Sequence, residues 1–331
     1  MPKPRAPFMS TPISTIRAVA LVSEPHPWPR IHRIDATDRK GAKDLPSTQS
    51  GHLAKDRMKQ IKFMTYNVWC REDVVVYKRM KVIGDHVKEH SPDVIFFQEI
   101  TPYIHSIFES FAWWEDYHCS PVPTDDQAET RHFCLMLSKI PMKSYARWTF
   151  GTSRTGKCYL EAEIRPESMK PITIATTQLE CPVPPASMYV RERQMQARHA
   201  VSALSSAGNV VFGGDMSWDD DADLPFPLPA GWADAWVELK RGTVREEYSW
   251  TYDSFWVEKA VEFNSYTVPN SKKRSDRFVC KLQDYTLKAI HVIEQGDLGI
   301  RCTTDFNTRS CHYVTVKASC HRGLLLTIVP K

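Results

Sequence analysis

The stretch Gly208–Asp221, GNVVFGGDMSWDDD, decides the fold. Its apolar run, Val210, Val211 and Phe212, is too short for a helix and is bounded by glycines, which marks a strand. Because it is apolar on both faces, the strand needs cover on both sides. The run stops at Gly213 and Gly214, delivers Asp215, and within a few residues reaches Asp219, Asp220 and Asp221. Glycines at a strand end let a second backbone or a ligand come close. Asp215 therefore reads as a carboxylate held at a strand terminus. Three consecutive like charges cannot all face one ion without repulsion, so Asp219–Asp221 read as a solvated turn.

The pattern recurs on either side. The segment "IKFMTYNVW" alternates as a strand and presents Asn67, and "DVIFFQEI" presents Glu99. In "ITIATTQLE" the strand ends on Gln178 and Glu180. Between them, Val76, Met80, Ile83 and Val87 fall at helical spacing, "YIHSIFESF" reads as a helix, and "HFCLMLSK" and "CYLEAEI" read as strands. A helix over "MYVRERQMQARHAVSALSSAG" carries Ala197, Val201 and Leu204 on one face, with Gly208 as its expected C-cap. The last strand is "RGLLLTIV". Mixed strands and helices over residues 61–331, with no repeat, predict one α/β domain of two sheets covered by helices. Each polar strand end alone has a bland reading as a solvated terminus or turn former. Their repetition predicts that they meet at one rim.

Charge separates the chain differently. Residues 1–60 hold 11 Lys/Arg against 5 Asp/Glu, and the remaining residues hold 32 against 34. The basic excess thus sits in a proline-containing segment without a period of 2 or 3.6, read as a disordered tail, with a targeting segment as the alternative. A near-neutral body excludes a uniformly basic nucleic-acid coat. Nine cysteines, an odd count with several inside apolar runs, read as reduced thiols. No apolar run approaches the ~18–20 residues of a membrane span. Trp113, Trp114 and Trp236 are expected to pack between sheet and helices.

Taken in order, "TYNVW", "FFQEI", "TTQLE", "FGGDMSW", "RSDRF" and "SCHRGLLL" resemble the motifs of the endonuclease/exonuclease/phosphatase superfamily. Within it the chain is most similar to plant members of the tyrosyl-DNA phosphodiesterase 2 group. The resemblance covers about 61–331. It implies a DNase I-like four-layer αββα sandwich and a phosphodiesterase using Mg²⁺, with Mn²⁺ as the alternative. It places Glu99 as the metal carboxylate with Asn67 beside the ion, and Asp215 as the residue that activates the attacking water. His321 becomes the phosphate-binding histidine and Asp276 the carboxylate that orients it. Tyr252 takes the place of an aromatic lining the DNA channel, with Trp250 close by. The implied substrate is a DNA end carrying a 5′-linked protein or peptide adduct. The expected setting is a monomer acting in DNA repair in the nucleus, with plastid or mitochondrion as the alternative through residues 1–60.

Three positions depart from the family pattern. Gln178 replaces a histidine; its amide can donate to phosphate but brings no charge. Ser217 replaces an asparagine with a shorter, single-donor group. Cys320 replaces an aspartate with a soft, poor Mg²⁺ ligand. Two readings follow: an active phosphodiesterase, or a catalytically weakened relative that binds nucleic acid or a protein partner, other phosphoesterase activities standing behind both. Cys320 and His321, adjacent on an extended strand, point to opposite faces and make no thiol–imidazole dyad.

Overall fold

The computed structural model describes residues 60–123, 132–182, 188–240, 250–253, 272–299, 301–303 and 313–331. All lie in the compact unit Gln49–Lys331. The basic tail assigned to residues 1–60 falls, apart from Gln60, outside the described residues.

The elements in order are β1 (Ile61–Asn67), α1 (Val76–His90), β2 (Val94–Ile100), α2 (Pro102–Glu109), β3 (His118–Cys119), β4 (Phe133–Ser138), β5 (Met142–Thr149) and β6 (Cys158–Ile164). Then come β7 (Ile172–Gln178), α3 (Val190–Leu204), β8 (Asn209–Asp215), β9 (Trp232–Asp234), α4 (Ala235–Lys240), β10 (Tyr252–Asp253) and β11 (Lys272–Lys273). The chain closes with β12 (Asp276–Leu282), β13 (Tyr285–Val292), β14 (Arg301–Thr303), β15 (Tyr313–Thr315) and β16 (Leu324–Pro330). Two six-stranded sheets form, ordered β13-β16-β1-β2-β4-β3 and β5-β6-β7-β8-β12-β9.

Alternation builds the layers. In β2, Val94 and Phe96 face the second sheet, where they meet Val211, Phe278 and Leu160, while Ile95 and Phe97 face Met80, Ile83 and Phe108 of α1 and α2. In β8, Val211 faces inward and Val210 and Phe212 lie under Ala197, Val201 and Leu204 of α3. The order helix, sheet, sheet, helix is the αββα sandwich, and the double-faced apolar strands are its consequence. Gly208 does not cap α3: the helix closes at Ser205, and Gly208 lies three residues on, where a Cβ would stand 2.7 Å from Gln283 Oε1.

The topology places the site. Each sheet holds one parallel pair at its centre, β1 with β2 and β7 with β8; the other pairings of the two sheets are antiparallel. Parallel neighbours end at the same rim. Asn67 pairs in register with Gln98, one residue before Glu99, and Gln178 pairs with Asp215. Antiparallel β12 begins there, with Asp276 opposite Asp215. Gly214 makes the last step of β7 and β8 close, because a Cβ on it would lie 2.2 Å from the Thr177 carbonyl oxygen. Backbone cannot yield as a side chain does. Gly214→Ala is expected to lower stability by about 1–3 kcal/mol through overpacking, read by urea unfolding. An unchanged midpoint would show the strand ends are not this tightly apposed.

Candidate active site

Asn67 sits at the end of β1 with its side chain between two acids. Its Nδ2 donates to Glu99 Oε1 at 3.0 Å and to Asp215 Oδ2 at 2.9 Å, and its Oδ1 accepts from the Trp69 backbone N–H at 3.0 Å. Gln178 repeats the bridge from the second sheet, donating from Nε2 to Glu99 Oε1 at 2.7 Å and Asp215 Oδ2 at 3.2 Å. Glu99 leaves the regular β2 ladder to reach them. Its φ is +61°, a left-handed value uncommon for a residue other than glycine, at the register shift between Phe97 and Ile100. The strain re-aims the carboxylate, whose Oε2 accepts from the Cys70 backbone N–H at 3.0 Å. Arg79, fully buried, secures that loop by donating to the carbonyls of Val68, Trp69, Arg71 and Val74.

Asp215 accepts at all four lone-pair positions: Asn67 and Gln178 on Oδ2, and Ser217 N at 2.8 Å and Ser217 Oγ at 3.3 Å on Oδ1. On its other side stands His321, whose Nε2 is 4.0 Å from Asp215 Oδ2. His321 Nδ1 meets Asp276 Oδ2 at 2.8 Å, and the backbone N–H of Asp276 donates to Thr251 Oγ1 at 2.9 Å. Ser319 joins the two halves, its hydroxyl donating to Asn67 O and accepting from His321 N. Asn67, Glu99, Gln178, Asp215, Ser217, Asp276 and His321 therefore share one rim.

Charge follows from these contacts. Burial pushes the Glu99 carboxyl up, but His132, the Asn67 amide and the Cys70 N–H outweigh it and hold the carboxyl at about 2. Burial alone pushes the His321 imidazole down; Asp276 and Asp215 reverse this and raise it well above its ordinary value. The raised value of His321 contributes stability that is present below about 6.5, the unfolded value, and is lost as pH rises through the folded value. Burial raises the Asp276 carboxyl, so the charged pair also breaks on the acid side when Asp276 takes up a proton. NMR titration is expected to find His321 charged above pH 7, and Asp276→Asn to bring its midpoint down. A midpoint near 6.5 in both would dissolve the pair as a charged unit.

Glu99, an ionised carboxylate, and Asp215 beside it are hard oxygen donors that suit a divalent cation, while Asn67 turns its NH₂ to both acids and its amide oxygen to Trp69 N. Asp215, Asp276 and His321 also bring ligand-type atoms within 4.8 Å of one another. There the imidazole is already engaged with Asp276, which makes a hydrogen-bonded pair of it. Cys320 is buried beside His321 but adds only a soft donor.

Other sequence expectations need revision. The amide of Gln178, read as a donor to phosphate, spends its two N–H bonds on Glu99 and Asp215. Glu180 is buried away from the rim and satisfied by Ser153, Thr155 and Gln196. The turn Asp219–Asp221 is not simply solvated: Asp219 lies 3.1 Å from Lys273, and Asp220 pairs with buried Arg277 at 2.5 Å and with Arg274 at 3.3 Å. Their partners lie more than fifty residues on, so neighbouring sequence could not show them. Tyr252 is at the site, its ring 5.0 Å from that of His321. Trp250, expected close by as a substrate-binding aromatic, already holds Arg322 at 3.6 Å and Lys272 at 4.8 Å from its ring centroid. The described cysteines are free, as expected. Lys157 and Thr251 were not anticipated; each precedes a strand in a loop with no periodic signal.

Acids that suit a cation and a water thus stand beside an imidazole that suits an anion, at one rim of two packed sheets. The chain belongs to the Endonuclease/Exonuclease/phosphatase family, whose pattern it matches over residues 64–280. A search of curated proteins finds no match. Among solved structures it is similar to D. rerio TDP2 in complex with single-strand DNA product, at 20% identity and a TM-score of 0.61, over 81% of this chain and 98% of that one. Caenorhabditis elegans TDP2 is similar at 18% identity and a TM-score of 0.62, over 83% of this chain and 76% of that one. The human Nocturnin catalytic domain with bound sulfate is similar at 14% identity and 0.56, over 82% and 94%. These likenesses are of fold.

Proposed function

We propose that the protein is a divalent-cation-dependent phosphodiesterase that hydrolyses the 5′-phosphotyrosyl bond joining a protein or peptide adduct to a DNA end. The observation that carries the hydrolytic reading is the opposition of Asp215 and charged His321 across 4.0 Å. The motif resemblance and the fold shared with TDP2, one example of which holds a DNA product, support the substrate. On this reading the chain acts as a monomer on DNA in the nucleus.

Glu99, with Asn67 beside it, would hold a cation, Mg²⁺ or Mn²⁺, which would supply Lewis-acid polarisation of the phosphoryl group. The chain's own residues do the rest. Asp215 takes the proton of the attacking water as its oxygen bonds to phosphorus. The water displaces the longest of the four hydrogen bonds on Asp215, that from Ser217 Oγ. His321 donates from Nε2 to a phosphoryl oxygen and offsets its growing charge. Asp276 holds the ring so that this nitrogen carries a proton. The bond between phosphorus and the tyrosyl oxygen breaks, leaving a 5′-phosphate and a tyrosinate that takes a proton from solvent as Asp215 returns its own to solvent. Tyr252 packs on His321 and borders the nucleotide.

Purified protein with Mg²⁺ and a DNA bearing a 5′-phosphotyrosyl end tests the reading. Release of tyrosine is the expected result; retained DNA binding without turnover would make the chain the binding relative instead. Ser217 offers a gain-of-function check. Its φ is +48°, a conformation asparagine tolerates better than serine. Ser217→Asn is expected to raise kcat, by about tenfold if the added amide reaches the transition state. A fall in kcat would mean that Ser217 is tuned to its neighbour Cys181, 3.1 Å away.

A further inference from the structure

Behind Gln178 lies a cation that the mechanism does not use. Lys157, in the turn between β5 and β6, donates from Nζ to Gln178 Oε1 at 2.6 Å. A lysine only donates, so it fixes the amide oxygen on its own side and the NH₂ on the side of the acids. We infer that Lys157 is a positioning residue for the two carboxylates of the site, the cation-binding Glu99 and the base Asp215: through the Gln178 amide it holds Glu99 Oε1 and Asp215 Oδ2 together on one NH₂ group.

The placement of Lys157 is built rather than incidental. Its backbone N–H donates to Ser153 Oγ at 2.8 Å, and its carbonyl accepts from Phe150 N at 3.0 Å. Ser153 in turn donates to Glu180 at 2.8 Å, and Glu180 is anchored by Gln196 of α3. Glu180, two residues past the strand end that carries Gln178, thus secures the turn that supplies the lysine. Burial opposes the charge on Lys157, and the Glu99 and Asp215 carboxylates favour it. An amide that accepts from a cation is polarised, which strengthens the bonds it donates. The departure at Gln178 is thereby compensated. The amide brings no charge of its own, and Lys157 lends it one.

The inference rests on the proposed function only where turnover is measured, so its deciding test is cation binding without substrate. Mn²⁺ affinity of the full chain is measured by calorimetry for wild type, Lys157→Met, Lys157→Arg, Gln178→Leu and the double variant Lys157→Met/Gln178→Leu. A lysine acting through Gln178 gives a definite pattern. Lys157→Met weakens binding about tenfold, the low end for outer-shell partners of a metal ligand. Lys157→Arg restores most of it, and Lys157→Met adds nothing in the Gln178→Leu background. A lysine that is merely a nearby charge gives the opposite sign, because removing it relieves repulsion and tightens Mn²⁺ binding. Tighter binding, wild-type binding, or losses that add in the double variant would each overturn the inference. If wild type cleaves the phosphotyrosyl DNA, Lys157→Met is further expected to lower kcat with KM unchanged. A wild type that does not turn over leaves the Mn²⁺ comparison decisive.

Discussion

Asp215→Asn is expected to lower kcat by about 10²–10⁴-fold, the range for removing a general base. The substitution conserves shape but not chemistry. Asp215 accepts four hydrogen bonds, and an asparagine must turn its NH₂ either toward Asn67 and Gln178 or toward Ser217 N. Donor then faces donor, and no oxygen is left with the basicity to take a proton from water. Single-turnover kinetics on the 5′-phosphotyrosyl end, with DNA affinity measured alongside, separate lost chemistry from lost folding. A variant that retains wild-type kcat would move the proton acceptor away from Asp215.

The second large effect is on stability. Arg193 of α3 and Asp223 are both buried, with side-chain exposures of 1% and 0%. The guanidinium donates to the carboxylate from Nη2 at 2.7 Å and from Nε at 3.2 Å, and from Nη1 to the carbonyls of Glu180 and Met188. Asp223 also accepts from Asp219 N at 2.9 Å. Asp223→Ala leaves a cation in the interior with half its partners gone. The expected loss is about 3–5 kcal/mol, measured by urea unfolding. Adding Arg193→Met should recover much of it, since an apolar pair avoids the stranded charge. A single variant as stable as wild type would mean that water reaches the guanidinium.

Both predictions concern residues around one strand, and they differ in how visible they were. Asp215 stood out because an apolar run, two glycines and an acid occur in sequence order. Asn67, Glu99 and Gln178 shared that local signal, so the polar strand ends were legible. His321 and Asp276 came from motif resemblance; their 2.8 Å pairing joins β12 to a segment forty-five residues away. Asp223 looked like any acid of a polar loop. Its partner lies thirty residues earlier on a helix, and nothing in either neighbourhood pairs them.

By itself the sequence determined what short-range chemistry can encode: strand and helix periods, the two-sheet class, and the polar group that closes each central strand. Side-chain alternation and strand length depend on neighbours a few residues apart, and they survive in the linear order. Tertiary structure alone decided what each polar group does. Gln178 became a bridge between acids, Trp250 a seat for two cations, and Asp220 the partner of a buried arginine. These roles are set by hydrogen bonds and charges between segments far apart in the chain. A carboxylate's partners are whatever folding brings within about 3 Å of it, and that proximity is a property of the packed sheets.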